Sequence, residues 1–313
     1  MALILKRVVV DAELAGRVDR VGQRLTELSK SQIRGMIDHD CIRVNGAVCK
    51  DGGILVSSGD VVEAHYDPHT RYHERPRAWE DDAFEIAFED KYLIVVNKAA
   101  GVLTVPTQPG AEHTLVAAIT RYFLHRGLHD RAQLVHRLDR GASGLLVFGK
   151  TRPIAEKIQA QFEDRKPERE YRAIVKGIVA EEGTFESYLA TSKSLQQFST
   201  NRHEEGQLAI THYRLEKIVR GCSWVRVWLE TGRRNQIRVH FAEAGHPVLG
   251  DPRYRPELSS HAQWRVKRLA LHATVLGFRH PITGKALRFE AETPAAMRAF
   301  VGEKNSPRSK SHQ

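Results

Sequence analysis

The chain is poor in cysteine. Cys41, Cys49 and Cys222 are its three, an odd number with no CxxC spacing. That pattern speaks against a disulfide framework and a zinc knuckle. No stretch reaches the ~18 apolar residues of a membrane span. Residues 1–7 are apolar too briefly for a signal peptide and lack a small-residue cleavage pattern. GxxxxGK[ST] and a strand-borne GxGxxG are both missing, which disfavours nucleotide hydrolysis and dinucleotide chemistry. Sixteen histidines are present, but none stands in HExxH, so no metal site is expected. The absence of a GxSxG elbow leaves Ser143 as a turn residue rather than a nucleophile. A soluble, reduced, cytoplasmic protein without metal or cofactor is the expectation.

What is abundant is positive charge. The 313 residues carry a formal net charge of +10 and a pI near 9.6, with 41% hydrophobic content. Such a chain can bury one large core or two unequal ones. Its charge predicts a polyanionic partner, nucleic acid first among them. No Lys-rich amphipathic stretch flanked by aromatics points to a membrane surface.

The N-terminal part predicts two short helices followed by strands. Val18, Val21, Leu25 and Leu28 recur at helical spacing from about Arg17. Ser29 is placed to cap a second helix carrying Ile33, Met36 and Ile37. An Asn45-Gly46 turn and a Gly59-Asp60 turn then separate short β segments. Arg20, Arg24, Lys30, Arg34 and Arg43 form a local basic surface, since Asp11, Glu13, Asp38 and Asp40 keep the segment as a whole from being strongly basic. The boundaries read as 1–66 for this module, 67–82 for a polar linker with two prolines, 83–301 for a large domain, and 302–313 for a disordered tail.

In the large domain strands outnumber helices and many are joined by hairpins. There is no regular β-α-β alternation, so a mixed, mainly antiparallel α+β sheet is expected. Its most conspicuous stretch is residues 136–144, HRLDRGASG, which opens onto the apolar run Leu145-Leu146-Val147-Phe148. Asp139 between two arginines is either a salt-bridged structural carboxylate or a reactive group held in place.

At these residues the chain resembles the RluA-type pseudouridine synthases, which isomerise uridine in structured RNA. HRLDRGASG is similar to that family's catalytic motif. VVNKAAG (95–101), EYRAIVKG (170–177), LETGRRNQIRVHFAEAGHPVLGD (229–251) and RLALHA (268–273) resemble its other segments in type and order. The N-terminal part resembles the alpha-L RNA-binding module named after a ribosomal small-subunit protein.

The resemblance implies that Asp139 is the catalytic aspartate, that Arg238 pairs with it, and that Tyr171 stacks on the target base. Arg137 would fill the place the uridine has left. Further RNA contacts are expected at His136, Arg140, Asn97, Lys98, Arg233, Arg234, Asn235 and Gln236. The physics agrees. A uracil must leave its helix to reach a carboxylate, at a cost of a few kcal/mol, and stacking on an aromatic returns about 1–3 kcal/mol. The isomerisation has no net redox change and needs no group donor, so no cofactor is implied. Whether Asp139 attacks the sugar, attacks the base or abstracts a proton stays open at this point.

Ala99, Ala142 and Asn235 stand where the family commonly has proline, threonine and histidine, and Val105-Pro106 lacks a frequent histidine. These departures bear on pocket contacts and substrate identity. The expected partner is RNA, large-subunit ribosomal RNA ahead of transfer RNA, acting on a monomeric enzyme. The rivals are a non-catalytic RNA-binding or ribosome-assembly factor and a metal-dependent nuclease.

Overall fold

The structure is a computed structural model that describes residues 3–72, 81–106 and 113–302. Its chain contacts divide it into two units, 1–78 and 79–313. Residues 73–80 of the expected linker and 303–313 of the expected tail lie outside the described residues.

The first unit runs β1 (Ile4–Val9), β2 (Gly16–Arg17), α1 (Val18–Thr26), α2 (Lys30–Asp38), β3 (Ile42–Val44), β4 (Ala47–Val48), β5 (Leu55–Val56) and β6 (Val61–Tyr66). Ser29 does cap α2, its side chain accepting from the Gln32 amide. The apolar stripes of both helices are buried: Val18 and Val21 pack with Ile33, Met36, Ile37, Ile42 and Val62 in one core. Each such side chain contributes about 1.5–3 kcal/mol of burial. The sheet order is β1-β6-β3-β4, with β2 and β5 paired apart from it. The sequence did not predict β1. It is an edge strand whose residues are exposed or half-buried, so it shows no apolar alternation; its pairing with β6 from Ile4↔Tyr66 to Val9↔Val61 makes it a strand.

The second unit comprises β7 (Phe84–Glu89), β8 (Leu93–Lys98), α3 (Leu115–His125), β9 (Gln133–Leu134), β10 (Ser143–Gly149), α4 (Arg152–Glu163), β11 (Glu168–Lys176), β12 (Glu182–Thr191), β13 (Gln197–Thr200), β14 (Gln207–Val219), β15 (Cys222–Leu229), α5 (Gln236–Glu243), β16 (Leu271–Arg279), β17 (Ala286–Glu290) and α6 (Ala295–Val301). One 11-stranded sheet runs β13-β12-β14-β15-β11-β16-β10-β8-β7, with β17 beside β16 and β9 beside β10. Every ladder is antiparallel except that of β10 and β16, where Ser143 faces His272 and Gly144 faces Ala273. The expected mixed, mainly antiparallel α+β architecture is the one observed.

Both faces of β8 and β10 are covered. Ile94, Val96, Leu146 and Phe148 pack with Leu115, Ile119 and Phe123 of α3. Leu93, Val95, Leu145 and Val147 pack with Ile154, Ala155 and Ile158 of α4. A strand buried on both sides reads as a continuous apolar run, which accounts for residues 145–148. Ser143 is therefore the first residue of this strand, buried, and not the turn residue expected. The backbones of β10 and β16 approach so closely that a Cβ at Gly144, whose φ is +118°, would overlap the Ala273 carbonyl. Cys41, Cys49 and Cys222 are free and buried. Among the described residues no helix is long and apolar enough to cross a membrane.

Candidate active site

Asp139 sits on the loop that feeds β10, and Arg238 is the third residue of α5. Arg238 Nη1 donates to Asp139 Oδ2 at 3.1 Å, across 99 residues of chain. The Asp139 side chain keeps 19% of its exposure, that of Arg238 only 9%. Oδ1 of Asp139 receives no hydrogen bond among the described residues, so the carboxylate is partly accessible and free at one oxygen.

Arg238 is itself held on every side. Its Nε and Nη2 donate to Asp251 Oδ2 and Oδ1 at 2.7 and 2.8 Å. Nη1 also donates to Asn235 Oδ1 at 3.0 Å, and the guanidinium lies 4.9 Å from the Tyr254 ring centroid. The Asn235 amide donates in turn to the Tyr254 hydroxyl. Burial alone would pull the guanidinium pKa down, but Asp251 and Asp139 together raise it. Asp251 is buried and also accepts from the Arg253 and Tyr254 amides. The sequence reading missed Asp251 and Tyr254. Asp251 closes the quoted segment 229–251, and a carboxylate directly after the apolar Val248-Leu249-Gly250 is one that burial forces into partnership.

Tyr171 lies on β11 and is buried. Burial pushes its hydroxyl pKa up, Arg169 opposes this, and the Asp139 carboxylate adds to the rise. The charge of Asp139 thus reaches the Tyr171 hydroxyl. Arg169, two residues earlier on the same face of the strand, is buried too. Its guanidinium packs 5.3 Å from the Phe162 ring centroid and donates to the Leu229 and Glu230 carbonyls.

The loop bearing Asp139 is tied down on both sides. Thr104 Oγ1 donates to the Leu138 carbonyl at 2.8 Å and accepts from the Leu138 amide at 3.2 Å. The Gly101 amide donates to the Arg140 carbonyl at 2.7 Å, and Arg140 Nε returns a bond to the Gly101 carbonyl at 3.0 Å.

Several residues expected to touch RNA are used internally. Lys98 is 1% exposed, and its ammonium donates to the carbonyls of Ala99, Val102 and Arg140. Burial pushes its pKa down to about 7, against the pull of Asp139. It braces the loop that carries Asp139 and is not a surface contact. Gln236 is buried, accepting from Thr231 and the Arg233 amide and donating to Ile210 and Thr211. Asn235 orients Arg238. The His136 ring stacks on Phe162 and accepts from the Val147 amide, and burial pushes its pKa down to about 3. The polar side-chain atoms of Lys98, Asn235 and Gln236 are spent inside the fold. Arg137, Arg140, Arg233 and Arg234 are exposed, and Asn97 is half-buried. Arg20, Arg24, Lys30, Arg34 and Arg43 are exposed on the first unit. Among the described residues no group of three or more His, Cys, Asp or Glu side chains could hold a metal ion.

Comparison with known proteins agrees with this geometry. Residues 92–243 match the RNA pseudouridylate synthase family, and residues 16–62 match the S4 domain. The ribosomal large subunit pseudouridine synthase D of Zymomonas mobilis is 36% identical over 304 residues, covering 93% of this chain and 95% of its own. The protein of the same name from Pseudomonas aeruginosa is 33% identical, covering 93% of both. Human RNA pseudouridylate synthase domain containing 1 shares the fold, with a TM-score of 0.56 and 21% identity over 74% of this chain and 94% of its own. The chain is an RNA pseudouridine synthase of the RluA-type family, with an S4 RNA-binding domain ahead of its catalytic domain.

Proposed function

We propose that this enzyme converts specific uridines of large-subunit ribosomal RNA to pseudouridine, with Asp139 as the group that acts on the flipped-out nucleotide. The observation that carries the substrate reading is the match to relatives named for the ribosomal large subunit over nearly the full length of both chains. In the reaction the bond from the ribose to the base nitrogen breaks, the base turns, and a carbon–carbon bond replaces it. The proton displaced from that carbon is balanced by one gained at the freed nitrogen.

Asp139 fits this chemistry through its free oxygen. The other oxygen is held by Arg238, and a carboxylate can act as nucleophile or base. Tyr171 offers a ring to the extruded uracil, stacking worth about 1–3 kcal/mol. Arg137, exposed two residues before Asp139, occupies the gap left in the RNA stack. The exposed cations of the S4 domain bind phosphate and hold the RNA in register.

The test uses transcripts of large-subunit ribosomal RNA and of transfer RNA, each made with uridine tritiated at the carbon that loses its proton. Tritium release from the ribosomal transcript alone is expected. Release from transfer RNA alone would overturn the substrate reading.

A further inference from the structure

The loop that carries Asp139 is braced by Thr104 at Leu138 and by Gly101 and Lys98 at Arg140. Its exit into β10 is held by a different device. Ser143 Oγ accepts from Arg268 Nη2 at 2.7 Å and lies 2.7 Å from His272 Nδ1. A guanidinium can only donate. Arg268 therefore occupies one lone pair of Ser143, and the hydroxyl and His272 Nδ1 share the second bond. Burial, and then the Arg268 charge, push the His272 pKa down to about 3, which keeps the ring neutral at neutral pH.

We infer that Arg268, Ser143 and His272 form a latch that positions the Asp139 loop for catalysis. Ser143 and His272 are 4% and 1% exposed. They face each other at the parallel seam between β10 and β16, a short ladder of two residue pairs. The longer antiparallel ladder with β8 begins only at Gly144, paired with Lys98, so Ser143 itself lies outside it. Ser143, Arg268 and His272 also line, with Asn97 and Lys98 among others, a cavity of about 800 Å³. The latch holds the strand where the loop enters it.

Arg268 is well anchored for this purpose. Its carbonyl accepts from Trp264 Nε1 at 3.1 Å, and its Nε donates to the Leu269 carbonyl at 3.1 Å. The next residue, Leu269, packs so closely on the loop that a Cβ at Gly141 would lie 2.7 Å from its Cγ. Residues 268 and 269 thus grip the loop at Gly141 and at Ser143. Arg268 forms no ion pair with a carboxylate among the described residues. Its bond to a neutral hydroxyl directs a half-buried charge at the loop without competing for Asp139. These are positioning residues: they act on the reaction through Asp139 and touch no reacting atom.

This inference rests on Asp139 as the catalytic group but not on which RNA is the substrate. It is tested on whatever RNA the wild-type enzyme modifies, so failure of the ribosomal reading and failure of the latch are separate results. Single-turnover rates and RNA affinities are measured for Ser143→Ala, Arg268→Met, the double variant, His272→Leu and His272→Asn. The asparagine places an amide oxygen near the position of Nδ1. A displacement of a catalytic group by about 1 Å costs up to about a hundredfold. The expected loss is about ten- to a hundredfold in rate for Ser143→Ala, Arg268→Met and His272→Leu, with RNA affinity within about twofold. The double variant is expected to be no worse than about threefold below its weaker parent, because both break one chain. His272→Asn is expected to recover most of the rate that His272→Leu loses. Rates within twofold of wild type in Ser143→Ala would overturn the latch. So would losses that multiply in the double variant, an Arg268→Met defect expressed equally in RNA affinity, or His272→Asn no faster than His272→Leu. Should Arg268→Met not fold, Ser143→Ala and the two His272 variants decide the matter alone.

Discussion

Asp251 grips Arg238 by the Nε and Nη2 edge of its guanidinium, at 2.7 and 2.8 Å, and so leaves Nη1 to reach Asp139. Both partners are buried. The pair orients the cation that holds the Asp139 carboxylate. Removing one partner of such a pair strands the other charge and costs about 3–5 kcal/mol. Asp251→Ala is expected to lower the stability by that order and to reduce turnover by about a hundredfold in the fraction that stays folded. Thermal unfolding and single-turnover rates check it. An Asp251→Ala enzyme of wild-type rate and stability would show that Arg238 needs no such support.

Tyr171 is buried, with its hydroxyl pKa raised by burial and, to a lesser extent, by the Asp139 charge. If the ring stacks on the extruded uracil, its loss is felt after the RNA has docked. Tyr171→Ala is expected to slow turnover about ten- to a hundredfold, the equivalent of the stacking energy, with RNA affinity changed by less than about threefold. Filter binding and rate measurements on one RNA separate the two. Equal losses in both would assign Tyr171 to general RNA binding.

Arg20 and Lys30 are exposed on the helices of the S4 domain. Reversing both charges is expected to weaken RNA binding uniformly across sequences. The dependence of affinity on salt should become shallower by about one unit per lost phosphate contact. The rate at saturating RNA should stay unchanged. An unaltered salt slope would place the phosphate-binding face elsewhere.

His240 and His272 are buried and neutral, with burial pushing their pKa values down to about 4 and about 3. In the unfolded chain both protonate near pH 6.5. Below that value the unfolded state binds more protons than the folded one, so stability falls as pH falls. The contribution is fully present above about pH 6.5 and is lost progressively toward pH 3–4. At pH 5 each group costs on the order of 2 kcal/mol. The unfolding temperature is therefore expected to drop steeply between pH 7 and pH 5, and less steeply in His240→Asn. A flat profile over that range would mean that these imidazoles titrate normally.

Part of the candidate site was legible because residue types and order were enough to group Asp139 with Arg238, which lie 99 residues apart and are joined by a hydrogen bond. The run at 145–148 was readable as a buried strand since both its faces are covered. Direction was not readable. Lys98 and Gln236 stand beside motif residues and look like RNA ligands, yet the pleat of β8 and the first turn of α5 point them inward. β1 escaped because an edge strand with exposed side chains carries no apolar period. Asp251 and His272 were within quoted segments, but their partners are set by the tertiary fold. Nothing local in the sequence ties Ser143 to Arg268 across 125 residues.

The most direct test of the account is a transcriptome-free one: purified enzyme, unmodified large-subunit ribosomal RNA, and nucleotide-resolution mapping of pseudouridine, run beside Asp139→Ala. The account predicts pseudouridine at discrete positions with the wild-type chain and none with Asp139→Ala, although that variant still binds the RNA. Pseudouridine formed by Asp139→Ala at the wild-type rate would contradict it.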